Sequence, residues 1–180
     1  MTEIIIINGN PRSGKDTFVE LCRKHFANTH NISSVDNVKL IAQRMGWTGE
    51  KTEKDRKFLS DLKIMWDEYN NGCTLGTFRR VEGIYRNMED FGLNCLIFVH
   101  IREPEKIDQF KQLCKENLGM TPKAIFITNE RVVTVESNQS DKHVEDYDYD
   151  AYFFNNRGLD VFDRVAKDFT KMVMAGDWPN

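Results

Sequence analysis

The sequence predicts an α/β fold of three layers, a parallel sheet covered by helices on both faces, and three observations carry that expectation. Short apolar, β-branched runs alternate along the chain with longer stretches of helical period. The first of these runs, Ile4 to Ile7, leads at once into a glycine-rich turn, and that turn leads straight into an amphipathic stretch. The 180 residues, 40% of them hydrophobic, are enough for one well-buried core, and no Pro/Ser-rich linker or low-complexity run divides them. A single domain spanning residues 1–180 is expected.

Taken in order, the strands are expected at 3–8, 32–35, 96–101, 123–128 and 151–154. Phe18, Leu21, Cys22 and Phe26 recur at helical spacing directly after the glycine turn. Val38, Ile41, Ala42 and Met45 form a second stripe that Gly46 can close as a C-terminal cap. Phe58, Leu62, Met65, Trp66 and Tyr69 form a third, and Phe78, Val81, Tyr85 and Met88 a fourth. Three helices in a row exceed what a simple crossover needs, so residues 37–91 read as a helical insert able to hold a substrate. Pro104 suits the first turn of a helix carrying Ile107, Phe110, Cys114 and Leu118. Leu159, Phe162, Val165, Ala166, Phe169 and Val173 mark the last helix. The stretch 129–150 is polar, acidic and without period, and reads as a long loop in the place of a lid, with Arg131 as its single arginine. Within it, the run 145–150 reads as a solvated lead into the last strand rather than a metal cluster.

Composition excludes several classes. A formal charge of −3, with 25 basic residues spread among 28 acidic ones, leaves no basic footprint for a nucleic acid polymer. No apolar run approaches the roughly 20 residues that span a bilayer. Ile4 to Ile7 reads as a first strand kept in the mature chain rather than as a secretory leader. The four cysteines lack metal-site spacing and read as free thiols in a reducing compartment, so a cytoplasmic protein is expected. The assembly state is left open, a homodimer included.

The chemistry sits in residues 9–17, Gly-Asn-Pro-Arg-Ser-Gly-Lys-Asp-Thr, which match G-x-x-x-x-G-K, the phosphate-binding loop, between a strand and a helix. Gly9 and Gly14 permit backbone angles that let the successive N–H groups of Asn10, Arg12 and Ser13 curl around phosphate oxygens. The helix that begins at Lys15 adds the positive end of its dipole. Lys15 is expected to reach the β- and γ-phosphates of ATP and to follow the transferring charge. Asp16, followed by Thr17, stands where a magnesium-binding hydroxyl is usual. A carboxylate there is a hard ligand for Mg²⁺ and repels a bare nucleotide, so metal-dependent binding is expected; the other role open to Asp16 is that of a first-turn acid at the helix N-terminus. Arg56, Arg79, Arg80 and Arg86 offer cationic forks for a phosphorylated acceptor.

The stretch from Arg12 to Thr17 resembles the variant phosphate loop of the phage deoxynucleoside monophosphate kinases, and its Gly-Lys-Asp core is also similar to that of phosphomevalonate kinase. Val35-Asp36-Asn37-Val38-Lys39, Ile101-Arg102-Glu103-Pro104-Glu105 and Phe154-Asn155-Asn156-Arg157-Gly158 resemble later strand-end segments of the first group. The resemblance implies a P-loop fold with strand order 2-3-1-4-5, ATP on the loop and the acceptor under the helical insert. It implies that Asp36, Lys39 and Arg102 face the acceptor and that Asn155 and Asn156 lie near the adenine. Where that group carries an acid at the end of the third strand, this chain has His100, expected as a packed or hydrogen-bonded strand histidine.

Together these features predict an ATP- and Mg²⁺-dependent kinase acting on a small phosphorylated acceptor, a (deoxy)nucleoside monophosphate above others. Lys15, Asp16 and Arg102 are its candidate catalytic residues; Asp36, Lys39, Arg56, Arg79 and Arg102 are its acceptor candidates. The alternative is a catalytically silent nucleotide-binding sensor, suggested by Asp16, His100 and the arginine-poor loop. A GTPase is disfavoured, since no N-K-x-D element for guanine is present.

Overall fold

The computed structural model describes residues 2–131 and 144–178. Five strands, β1 (Thr2–Asn8), β2 (Thr29–Ser33), β3 (Cys95–His100), β4 (Lys123–Thr128) and β5 (Ala151–Phe154), form one sheet in the order β2-β3-β1-β4-β5. Every neighbouring pair is parallel, and the order is the one that the sequence resemblance implies. The helices among the described residues are α1 (Lys15–His25), α2 (Asp36–Arg44), α3 (Glu53–Asn70), α4 (Gly72–Asp90), α5 (Pro104–Leu118) and α6 (Leu159–Met174).

Strand alternation explains the two-sided core. Ile4 and Ile6 of β1 join one apolar cluster while Ile5 and Ile7 join the other, so a central strand buried on both faces has to be apolar throughout. On the first face α4 and α5 contribute Phe78, Val81, Ile107, Phe110 and Cys114. On the second, α1 and α6 contribute Phe18, Phe162 and Phe169, with Phe18 and Phe169 both touching Phe98 of β3. All four cysteines are free and buried, and burial pushes the Cys22, Cys73 and Cys114 thiols up to about 12.

Three expectations change. Residues 37–91 divide: α4 packs on the sheet through Phe78 and Val81, whereas α2 and α3 form a smaller cluster of Val38, Ala42 and Leu62 with Cys73 from the start of α4. Trp47, just beyond α2, packs against that cluster and donates from Nε1 to the Glu50 carbonyl. Strand β2 covers Thr29–Ser33 instead of 32–35, because its polar first residues pair with β3 from Thr29↔Leu96 to Ser33↔His100. The acidic run exposes Glu145, Asp146, Asp148 and Asp150 as expected but is also anchored in its second half: Tyr149 is 5% exposed with its ring 4.9 Å from that of Phe126, while Asp150 pairs with Lys123 at 2.8 Å and Lys111 at 3.5 Å. Of the 129–150 loop, residues 132–143 lie outside the described residues; Arg131 is exposed just beyond β4.

Candidate active site

The phosphate loop turns out of β1 on three left-handed or otherwise glycine-favouring residues. Gly9 has φ 147°, Arg12 φ 64° and Gly14 φ 102°. Two of these positions are crowded as well, Gly9 by backbone and Gly14 by a side chain. A Cβ on Gly9 would stand 2.1 Å from the Ile127 carbonyl oxygen, and one on Gly14 would stand 2.4 Å from Asn155 Nδ2. The loop closes with a backbone bond from Ser13 N to Asn10 O at 3.1 Å, and Gly14 caps α1. Arg12 is exposed at the turn, and Thr17 is exposed in the first turn of α1.

Lys15 folds back over the loop, its Nζ donating to Gly9 O at 2.6 Å and Asn10 O at 2.9 Å. The Ser13 hydroxyl is buried and has no hydrogen-bond partner among the described residues. A buried donor with no protein acceptor is costly unless a ligand completes it, and a phosphate oxygen is the ligand this loop geometry suits. The cradle therefore fits a nucleotide phosphate.

Asn155 follows β5, and its Nδ2 donates to Ser13 O at 3.1 Å, so this side chain braces the cradle. Asn156 accepts from Glu130 N at 3.0 Å and fixes the exit of β4. Both asparagines thus engage backbone at the strand ends on this edge of the site.

One cleft of about 570 Å³ joins the phosphate loop to α2 and α3. Lys15, Asp16, Asp36, Lys39, Arg56 and Arg102, chosen from sequence for two different halves of a reaction, all line it. Lys51, Lys63, His100 and Glu103 line it too; the first, second and last were missed in sequence because a lone charge on a helix or loop carries no signal of what it faces. Lys15, Lys39, Lys51, Arg56, Lys63 and Arg102 outnumber the cleft's carboxylates, Asp16, Asp36 and Glu103, although the whole chain is acidic at −3. The cleft is electrostatically suited to an anion.

Ion pairs order this lining. Asp36 accepts from Ser33 N at 3.0 Å and from Arg80 Nη1 at 2.9 Å, and lies 3.8 Å from Lys39 Nζ. Lys63 of α3 pairs with Glu103 in a largely buried contact that joins the helical part to the loop after β3. Arg79 is a correction: it is exposed on α4 and does not line the cleft, while its neighbour Arg80 reaches Asp36. Successive helical residues point about 100° apart, so one of the two had to turn away.

The side chain of Asp16 is 87% exposed, with Oδ1 at 3.7 Å from His100 Nε2. The same nitrogen lies 2.7 Å from Asn31 Oδ1, an acceptor, so His100 donates there. Burial pushes the His100 imidazole down to about 4, against the pull of the Asp16 charge, so the ring is neutral at neutral pH. Among the described residues no group of three or more His, Cys, Asp or Glu is arranged to hold a metal by protein ligands alone, and no helix is long and apolar enough to cross a membrane.

No protein-family model and no curated protein matches the sequence. Solved structures do match in shape. The tunicamycin resistance protein of Deinococcus radiodurans is 11% identical, with 100% of both chains covered and a TM-score of 0.57. The APS kinase CysC of Mycobacterium tuberculosis, in complex with AMPPNP and APS, is 11% identical over 93% of this chain and 96% of its own, with a TM-score of 0.50. At such identities the likeness is one of fold, and the chain has the three-layer α/β/α architecture of these proteins, with its glycine-rich loop at the carboxyl end of its central strand.

Proposed function

We propose that the protein is an ATP-dependent small-molecule kinase that transfers the γ-phosphoryl group to a phosphorylated acceptor, with a (deoxy)nucleoside monophosphate as the narrower reading. The observation that carries this is the shared cleft: Lys15 and Asp16, at the end of the glycine-rich loop, line the same cation-rich space as Lys39, Arg56 and Arg102. The fold likeness to APS kinase supports the phosphotransferase class, and the motif resemblance of residues 12–17 supports the nucleotide acceptor. ATP lies on the loop, with Ser13 and the backbone amides on its phosphates. An acceptor oxygen attacks the γ-phosphorus in line while the bond to the β-phosphate oxygen breaks, and ADP leaves.

Each residue acts by placement and charge. Lys15 moves from the loop carbonyls to the β- and γ-phosphate oxygens and neutralises charge as it shifts towards the leaving group. Arg102 and Arg56 hold the acceptor's phosphate in reach. Asp16, an exposed carboxylate beside the cradle, is a hard oxygen donor that fits Mg²⁺. Held by Asp16 together with the nucleotide, the ion would supply charge neutralisation for phosphoryl transfer, in the manner of sites that use one or two carboxylates plus substrate phosphates. A coupled ADP-release assay across (deoxy)nucleoside monophosphates and other phosphorylated metabolites tests the proposal. Acceptor-stimulated turnover is expected; tight MgATP binding without turnover on any acceptor overturns it in favour of a silent nucleotide sensor.

A further inference from the structure

Asn8, the last residue of β1, is wholly buried and stands at the meeting point of three parts of the site. Its Oδ1 accepts from Gly9 N at 2.8 Å, and its Nδ2 donates to Arg102 O at 2.9 Å and to the Tyr149 hydroxyl at 2.7 Å. The direction of each bond is fixed by chemistry. A backbone N–H only donates and a carbonyl only accepts, so the amide has one orientation. Because Nδ2 only donates, the Tyr149 oxygen accepts from it and turns its own hydrogen to Val144 O at 2.7 Å. Burial pushes the Tyr149 phenol well above its ordinary range and keeps that hydrogen in place. Two residues beyond Asn8, Asn10 of the phosphate loop donates to Glu145 Oε1 at 2.6 Å, a second tie between the same two segments.

We infer that Asn8 and Tyr149 are positioning residues: a buried hydrogen-bond chain that holds the entrance of the phosphate loop, the backbone of Arg102 and the segment 144–149 in one fixed geometry. The inference rests on the kinase reading for its consequence, since Gly9 opens the ATP cradle and Arg102 belongs to the acceptor side. Neither residue touches a reacting atom. A hydroxyl removed from Tyr149 leaves Asn8 Nδ2 and Val144 O each short of one partner, and the two halves of the cleft lose their common anchor.

The test uses the full chain as wild type, Tyr149→Phe and, as control, Tyr147→Phe. The control deletes a hydroxyl of the same acidic segment that donates to Asp108 at 2.9 Å, away from the loop. Tyr149→Phe keeps its ring against Phe126. Its kcat/KM for the acceptor is expected to fall roughly tenfold, and its MgATP affinity by calorimetry several-fold, at an unfolding temperature close to the control's. Equal kinetics and equal MgATP affinity in the two variants overturn the inference. If wild type binds MgATP but turns over no acceptor, the kinase reading fails by itself, and the calorimetric difference between the variants still decides the positioning role. A wild type that binds no MgATP overturns both.

Discussion

Lys15 and Gly14 carry the plainest consequences of single side chains. Lys15 already bonds loop carbonyls with its ammonium at 2.6 and 2.9 Å, so the loop's shape does not need a phosphate to hold it. Lys15→Ala is expected to lower acceptor-dependent ADP release by on the order of 10³-fold while leaving the unfolding temperature near wild type, because a charge stabiliser is lost and no core contact is. Gly14→Ala acts through geometry instead. Its φ of 102° disfavours any L side chain, and the new Cβ would meet Asn155 Nδ2 at 2.4 Å. The expected result is a loss of about 1–3 kcal/mol in stability together with weakened MgATP binding, read by denaturant titration and calorimetry. Gly9, Gly14 and Lys15 were legible in the sequence because the bonds that the loop makes within itself, from Lys15 to Gly9 and Asn10 and from Ser13 to Asn10, run between residues at most six apart. Asn8 and Tyr149 were not, since 141 residues separate them and neither belongs to a motif.

Among the elements, α3 has the firmest local signature. Thr52 caps it and Asp55 answers in a capping box, with Asp55 N donating to Thr52 Oγ1 at 3.2 Å and Thr52 N to Asp55 Oδ2 at 3.0 Å. Arg56 sits in that first turn, its N bonded to Thr52 O at 3.0 Å, so the cap fixes where the arginine enters the cleft. Thr52→Ala should cost about 1 kcal/mol and raise the acceptor KM while MgATP affinity holds, since the phosphate loop lies on other elements. Helix α4 packs directly on the sheet, with Phe78 edge-on to Phe110 at 6.5 Å and Val81 wholly buried. Phe78→Ala is therefore expected to cost about 3–5 kcal/mol in one cooperative transition, seen in urea by fluorescence and circular dichroism together. A second, separate transition of residues 37–91 would contradict that packing. The helical period alone could not assign α4 to the sheet, because an apolar stripe says that a face is covered and not by what.

For the molecule as a whole, acid sensitivity follows from the edge where the acidic run meets β4. Burial works to raise the Asp150 carboxyl, but the bond from Ala124 N and the charges of Lys123 and Lys111 outweigh it and hold the group below its ordinary value of 3.8. A depressed folded pKa stabilises the protein above the unfolded value and loses that contribution as pH falls through the folded one. Stability is thus expected to drop below about pH 4, and Asp150→Asn should be less stable at neutral pH with a flatter acid limb, measured by thermal unfolding across pH. The sequence by itself determined the parallel α/β class, β4 and β5 to the residue, and the glycine-rich loop between β1 and α1, because these depend on residue period and on contacts a few positions long. Tertiary structure alone decided that Arg80 rather than Arg79 meets Asp36, that β2 begins at Thr29, and that Asn8, Arg102 and Tyr149 share one hydrogen-bond chain. Those outcomes rest on pairings between residues far apart in the chain, whose partners exist only once the sheet has brought its strand ends together.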